Sequence, residues 1–188
     1  MFSYRHAFHA GNHADVLKHL TLVSVLSHLT QKEVPLLAID THAGAGFYDL
    51  SQRQAQTSAE SQSGITRLFE KWAELGELSP ALADYLNVVK ALNPSGSARH
   101  YPGSPWLLQH LLRPQDRMRW FEMHPTDSQA LAGNMAQFEL GRAVQTQRED
   151  GFESLKKLLP PPASASGSKR AMVLMDPSYE IKSDYLKV

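Results

Sequence analysis

The sequence predicts an α/β fold built on a parallel sheet, and three observations lead there. Amphipathic helical stretches alternate with short, continuously apolar runs, the pattern of strands covered on both faces. Those runs lead into acids, at Asp40, Glu122, Asp150 and Asp176. The first run also passes into a glycine-rich turn, THAGAG at 41–46. An open parallel sheet binds its ligand at the carboxyl ends of its strands, where these acids and glycines gather.

Taken in order, residues 1–11 read as an arm carrying Tyr4 and Phe8. Asn12 is placed to cap a helix reaching about Thr30, with Val16, Leu17, Leu20, Val23 and Leu26 at helical spacing. VPLLAID (34–40) is a strand, and the polar SQRQAQTSAESQS (51–63) reads as a loop. Two amphipathic helices follow. Ile65, Leu68, Phe69, Trp72 and Leu75 share one face, as do Leu82, Tyr85, Leu86, Val89 and Leu92. This helical pair interrupts the strand–helix alternation, so 51–95 reads as a helical insert between core segments 1–50 and 96–188. Trp72 and Tyr85 are expected in the insert's own small core. In YPGSPWLLQHLL, Ser104 stands as an N-cap with Pro105 at the first helical position. MRWFEMH (118–124) predicts a strand ending in Glu122, and TDSQALAGNMAQF a helix. RAVQTQRED (142–150) predicts a strand ending at Asp150, and GFESLKKLL a helix. PPPASASGSK (160–169) is a connector, and AMVLMD (171–176) is the fourth strand. Four strands are few for a doubly wound sheet, and C-terminal strands beyond this chain are expected.

Composition narrows the function classes. The 188 residues hold 19 Lys+Arg against 19 Asp+Glu, which argues against a uniformly basic nucleic-acid binder. One local stretch, RPQDRMR (113–119), is modestly basic, as a phosphate contact or a solvated flank would be. Cysteine is absent, excluding disulfides and thiolate metal sites. His6, His9, His13 and His19 crowd the start but fan around more than one helix face, without an H-E-x-x-H pattern. Cofactor or RNA contacts, or a solvated arm, are expected of them, and no metal. No apolar run approaches the ~18 residues of a membrane span, and the first twenty residues lack a signal peptide's apolar core. A cytoplasmic protein is expected.

The strand-end residues each admit two readings. Gly44 and Gly46 open the backbone to a ligand or simply make a tight turn. Glu122 takes both hydroxyls of a ribose or is a solvated acid. Asp150 accepts from an adenine amine, with Phe152 packing the ring, or caps a helix. Together they suit a nucleoside, carried by a dinucleotide or by S-adenosylmethionine. Asp176-Pro177-Ser178-Tyr179 separates the two. It has no role in nicotinamide hydride transfer, but it suits amino methylation of a base. A carboxylate and the next carbonyl would take the two N–H groups of an exocyclic amine, with an aromatic ring stacked on the base. Proline fixes φ and so preorganises the acceptors.

SYRHAFHAGNHADVLKH, DTHAGAG, YPGSP, E-x-HP at 122–125, DGF at 150–152 and DPSYE together resemble the large-subunit ribosomal RNA adenine-N6 methyltransferases of the RlmJ type. The resemblance runs from residue 3 to the end. It implies a Rossmann-like, S-adenosylmethionine-dependent methyltransferase core with a small helical insert. It also implies N6-methylation of one adenine of 23S ribosomal RNA by a monomer without metal or membrane. It makes Asp176 the catalytic acceptor, with Pro177 and Tyr179 beside it. His19, His42, Gly44, Gly46, Ser104, Glu122, Asp150, Gly151 and Asp176 become cofactor contacts, and Tyr4 a contact to RNA. Two positions depart from the broader pattern. Ser178 replaces the second proline of Asp-Pro-Pro-Tyr, and His42 stands at the first glycine of the common cofactor turn. A DNA adenine methyltransferase, a protein for using external DNA, and a non-catalytic nucleic-acid-binding relative would share these residues.

Overall fold

The chain runs through α1 (His13–Leu29), β1 (Leu37–Asp40), β2 (Phe47–Asp49), α2 (Arg53–Ser58), α3 (Ile65–Lys71), α4 (Pro80–Leu92), β3 (His100–Pro102), α5 (Ser104–Leu111), β4 (Arg117–Phe121), α6 (Pro125–Met135), β5 (Val144–Gln147), α7 (Gly151–Leu158), β6 (Ala171–Leu174) and α8 (Asp184–Lys187). This computed structural model describes residues 5–138, 141–163 and 169–188. They fall into two units. One takes in Leu29–Gly46 and Leu112–Val188, the other Arg5–His28 and Phe47–Leu111.

The first unit holds a four-stranded sheet in the order β5-β4-β1-β6. All three pairings are parallel. β1 sits between β4 and β6, with Asp40 level with Trp120 on one side and Leu174 on the other. Flanked on both sides, Ala38, Ile39 and Asp40 are fully buried, which explains why VPLLAID shows no polar alternation. α6 links β4 outward to β5, and α7 then carries the chain back past β4 and β1 to β6. Right-handed crossovers running in opposite directions put their helices on opposite faces of a sheet. The predicted doubly wound, Rossmann-like α/β class is the one observed. Each strand is shorter than predicted, however. β4, β5 and β6 stop at Phe121, Gln147 and Leu174, so Glu122, Asp150 and Asp176 lie beyond the last paired residues. The Glu122 and Asp150 side chains turn back onto local backbone N–H groups.

In the second unit Asn12 caps α1, its Oδ1 accepting from the Asp15 N–H at 2.9 Å. The buried residues of α1 are Asp15, His19, Leu22, Val23 and Leu26, not the purely apolar stripe predicted. Leu17 is 67% exposed. Two polar residues go inside because their partners are built in. Asp15 accepts from the Gly11 N–H and from Lys18 Nζ and pairs with His6 Nε2, at 3.0, 2.7 and 2.8 Å. Burial opposes its charge, but His6, His19 and Lys18 outweigh that and hold its pKa far below the ordinary carboxylate range. Residues 51–63 are not the loop predicted. They form α2 and a 3-10 turn, Glu60–Ser63. The Thr57 and Ser58 hydroxyls fold back onto the Arg53 and Ala55 carbonyls. β2 and β3 pair antiparallel as an unpredicted ribbon, three residues each and too short for periodicity to reveal. The segment 51–95 lies within this unit, together with the ribbon and 5–28. Tyr85, Leu86 and Val89 of α4 are fully buried, as is Ile65 of α3.

The amino end of the first unit's sheet rests on an ion pair. Asp116, 1% exposed, accepts from the Leu36 N–H at 2.9 Å and from Arg113 Nε and NH2 at 3.0 Å. Arg113 also donates to the carbonyls of Thr30, Lys32 and Val34. Burial raises the Asp116 pKa, but the Arg113 and Leu36 donors outweigh it, leaving it lowered. Asp116→Asn leaves Arg113 with its three carbonyl acceptors and removes hydrogen bonds between charged groups, at about 1.5–3 kcal/mol. It is therefore expected to lower the thermal midpoint by roughly 3–12 °C at neutral pH. A depressed carboxylate contributes fully above the ~3.9 of a free Asp and loses that contribution as pH falls through its folded value. The deficit of Asp116→Asn against the parent should accordingly shrink in melts taken toward pH 3.

Candidate active site

The site lies at the carboxyl edge of the first unit's sheet, around the turn leaving β1. Residues 41–44 bridge both neighbouring strands. Thr41 N–H donates to the Leu174 carbonyl at 3.0 Å, and Ala43 N–H to the Phe121 carbonyl at 2.9 Å. Gly44 N–H then donates to Glu122 Oε2 at 2.8 Å. Asn134 on α6 holds the Ala45 carbonyl at 2.8 Å. Gly44 (φ 59°) and Gly46 (φ 79°) adopt left-handed backbone, which L side chains resist. A Cβ on Gly46 would also sit 2.8 Å from Leu131 Cδ1.

Glu122 stands one residue past β4. Its Oε1 accepts from the His124 N–H at 2.7 Å while Oε2 takes Gly44. Burial raises its pKa, only partly offset by those two donors. Each carboxylate oxygen has more than one lone pair, so both can accept again. The carboxylate is thus fixed and turned along the glycine turn, not simply solvated.

Asp150 caps α7, its Oδ1 accepting from the Phe152 and Glu153 N–H groups at 2.9 and 3.3 Å. Both bonds fall on Oδ1, so Oδ2 takes neither. Gly151 opens α7 hard against the turn, where a Cβ would run into the Thr41 carbonyl. Phe152 meets the His42 ring edge-on, centroids 5.0 Å apart. Thr41 Oγ1 donates to the Leu174 carbonyl and lies 2.8 Å from His42 Nδ1. With its proton committed, that hydroxyl accepts from Nδ1–H, which leaves the lone pair of a neutral ring on Nε2. Burial lowers the His42 pKa, and Asp176, Asp184 and Asp150 oppose that shift in this order.

Beyond β6, Asp176 is half-buried and Pro177 buried, while Ser178 and Tyr179 are exposed. Tyr179 adopts φ 56°, and its ring lies 4.7 Å from that of Tyr185. A non-glycine residue held in left-handed backbone next to a strand-end acid marks a place where local geometry is set by more than propensity.

The first unit therefore holds His42, Gly44, Gly46, Glu122, Asp150, Gly151, Asp176, Pro177 and Tyr179. His19 and Ser104 belong to the second unit. His19 is buried with Nδ1 2.8 Å from the Tyr101 hydroxyl, which lies 3.1 Å from that of Tyr85. Burial drives the His19 pKa down to about 3, with Asp15 opposing. Ser104 is buried as the first residue of α5. Tyr4 lies outside the described residues. Thr41 and Asn134, which clasp the turn, went unnoticed in the sequence. Their bonds join residues 133 and 89 positions apart, a separation that leaves no local signal.

Gly151→Ala should cost about 1–3 kcal/mol, the usual penalty of overpacking. The expected readout is a thermal midpoint lower by roughly 2–12 °C. A midpoint equal to the parent's would show that the Thr41–Gly151 approach is slack.

The model of the family "Ribosomal RNA large subunit methyltransferase D, RlmJ" matches residues 33–188. Ribosomal RNA large subunit methyltransferase J of Escherichia coli is 43% identical over 188 residues, covering 100% of this chain and 63% of that protein. The protein of the same name from Haemophilus influenzae is 41% identical over 186 residues, covering 98% of this chain and 62% of that protein. The chain thus spans less than two thirds of the length of these curated relatives. A crystal structure of a Legionella pneumophila protein superposes with a TM-score of 0.81 at 35% identity. It covers 95% of this chain and 61% of that one.

Proposed function

The chain belongs to the RlmJ family of ribosomal RNA large subunit methyltransferases, and from that membership we propose the following reading. It is the cofactor-binding and catalytic part of an S-adenosylmethionine-dependent enzyme that methylates N6 of an adenine in 23S ribosomal RNA. The observation that carries it is the placement of Asp176-Pro177 at the switch point of the sheet. β6 lies against β1 on one side while the chain leaves β1 toward β4 on the other, and ligands of such sheets settle in that crevice.

The residues present suit the cofactor. Gly44 and Gly46 leave the turn without side chains. Glu122 offers a fixed carboxylate to a ribose diol, and Asp150 an Oδ2 to an adenine amine. The strand-end residues are acids, which suit a sulfonium better than a pyrophosphate. The turn after β1 continues into β2, not into a helix, so the helix N-terminus that receives a dinucleotide's phosphates is missing there. His19 and Ser104 carry cofactor roles by family likeness, and Tyr4 an RNA contact.

When bound, S-adenosylmethionine supplies an electrophilic methyl group. The protein's task is to make a poor nucleophile adequate. The lone pair of an adenine amine is delocalised into the ring. The Asp176 carboxylate accepts one N–H and the Pro177 carbonyl the other, favouring a pyramidal nitrogen. Asp176 is also the acceptor at hand for the proton this nitrogen sheds. Tyr179, exposed at its left-handed turn, offers a ring for the base to stack on. Ser178 preserves both acceptors, since neither belongs to residue 178. The enzyme is expected to work in the cytoplasm.

Asp176→Asn, in protein of the relatives' full length, should reduce methyl transfer to ribosomal RNA by about 100-fold or more. S-adenosylmethionine affinity measured by calorimetry should stay within about threefold. Near-parental turnover would remove Asp176 from the chemistry. Glu122→Ala should weaken cofactor binding by roughly 10–100-fold, the value of a hydrogen bond to a charged group. Unchanged affinity would remove its ribose role. Methyl incorporation into DNA in preference to ribosomal RNA would redirect the substrate assignment.

A further inference from the structure

The buried face of α1 begins a chain of three polar rings inside the second unit. His19 Nδ1 lies 2.8 Å from the Tyr101 hydroxyl, which lies 3.1 Å from the Tyr85 hydroxyl. Tyr85 and Tyr101 are fully buried, and His19 is 2% exposed. The Tyr101 ring lies nearly parallel to the imidazole, 20° apart with centroids at 5.4 Å. The Tyr85 ring meets the imidazole at 59°, with centroids at 6.5 Å. Such packing fixes the plane of the His19 ring. Which of its nitrogens carries the proton is decided by hydrogen bonding.

Two directions are open to the chain. Tyr101 donates to Nδ1 and accepts from Tyr85, or Nδ1–H donates to Tyr101 and Tyr101 to Tyr85. The protonation states are set first. Burial makes His19 neutral, against the pull of Asp15, so the ring has a single N–H. Burial above all, with Asp15 adding to it, raises both phenols, so each keeps its proton to give. An imidazole lone pair is basic enough to protonate near pH ~6.5 and accepts better than a phenol oxygen. A phenol O–H is in turn a better donor than a neutral imidazole N–H. The first direction matches the better donor to the better acceptor. It puts the Tyr101 proton on the Nδ1 lone pair and leaves His19 with its own proton on Nε2.

We propose that Tyr101, with Tyr85 behind it, is a positioning residue that holds His19 as an Nε2–H donor for the carboxylate of the cofactor. This rests on the reading above, in which family likeness gives His19 a cofactor role. S-adenosylmethionine carries a carboxylate and an ammonium group at its amino-acid end. Glu122, Asp150 and Asp176 only accept when ionised, so they cannot hold a carboxylate. His42 gives its Nδ1–H to Thr41 and offers a lone pair at Nε2, which suits an N–H donor such as the ammonium. His19 is held in the opposite tautomer, and its N–H is the kind of group a carboxylate needs.

The first arm of the test needs no cofactor. Long-range nitrogen–proton correlation spectra of this chain, with the His19 signals assigned by their loss in His19→Gln, should show a single tautomer protonated on Nε2. Tyr101→Phe keeps the stacked ring and removes the donor. Its His19 Nδ1 signal should move to that of an unbonded lone pair, and a population protonated on Nδ1 should appear. Tyr85→Phe leaves the Tyr101 proton in place and should keep the Nε2–H tautomer. A parent His19 protonated on Nδ1, or a Tyr101→Phe spectrum equal to the parent's, overturns the proposal. The second arm uses protein of the relatives' full length and compares S-adenosylmethionine with decarboxylated S-adenosylmethionine by calorimetry. Tyr101→Phe should weaken the first by about 3–10-fold, the value of one hydrogen bond, and leave the second within about twofold. Equal losses for both compounds, or no loss for either, overturn the carboxylate assignment. A parent that binds neither compound overturns the cofactor reading itself, and the tautomer found in the first arm is unaffected by that failure.

Discussion

The pairing of β1 with β4 on one side and β6 on the other is the constraint from which the rest of the first unit follows. It brings chain segments around residues 40, 122 and 174 to a common edge although roughly eighty and fifty residues separate them. It also makes the turn after β1 a bridge. Thr41 bonds to the end of β6, Ala43 to the end of β4, and Gly44 to the carboxylate just beyond β4. A backbone tied this closely on both sides has little freedom. That is the condition for holding acceptors where a reaction needs them.

The same geometry explains why glycine, not a small side chain, stands at two of these positions. Gly46 turns left-handed beneath Leu131 of α6, and Gly151 starts α7 against the Thr41 carbonyl. α7 then runs from the candidate active site, where Asp150 caps it, to a cavity lined by Arg117, Arg119 and Arg170 at the amino edge, where Leu158 ends it. One helix therefore contributes to both ends of the unit. Acids gather at the carboxyl edge, while the amino edge carries arginines together with the buried Asp116. A chain with zero formal net charge can keep local fields of both signs when the sheet sorts its charges by strand end.

The second unit settles its buried charges differently. Asp15 and His19 lie inside, each with partners supplied by its own unit. His6 is committed to Asp15, and His9 to Glu60. As their fanning around more than one helix face implied, His6, His9 and His19 serve different partners.

From the sequence by itself came the parallel α/β class, the existence of each main strand and helix, and the acids at the strand ends. Continuous apolar runs and 3.6-residue spacing are local properties that survive without tertiary contacts. The residues of the candidate site were legible too, because Asp-Pro-Ser-Tyr and the glycine turn are short motifs with few structural explanations. Only the tertiary structure decided where each strand stops, that 51–63 is helical, and that Asp15 and His19 are buried. It alone separated Arg113, committed to Asp116, from Arg117 and Arg119 in a run that reads as modestly basic. Those outcomes depend on partners far away in the chain. The pairing of a side chain with a distant amide or carboxylate leaves no periodic trace in the sequence around it.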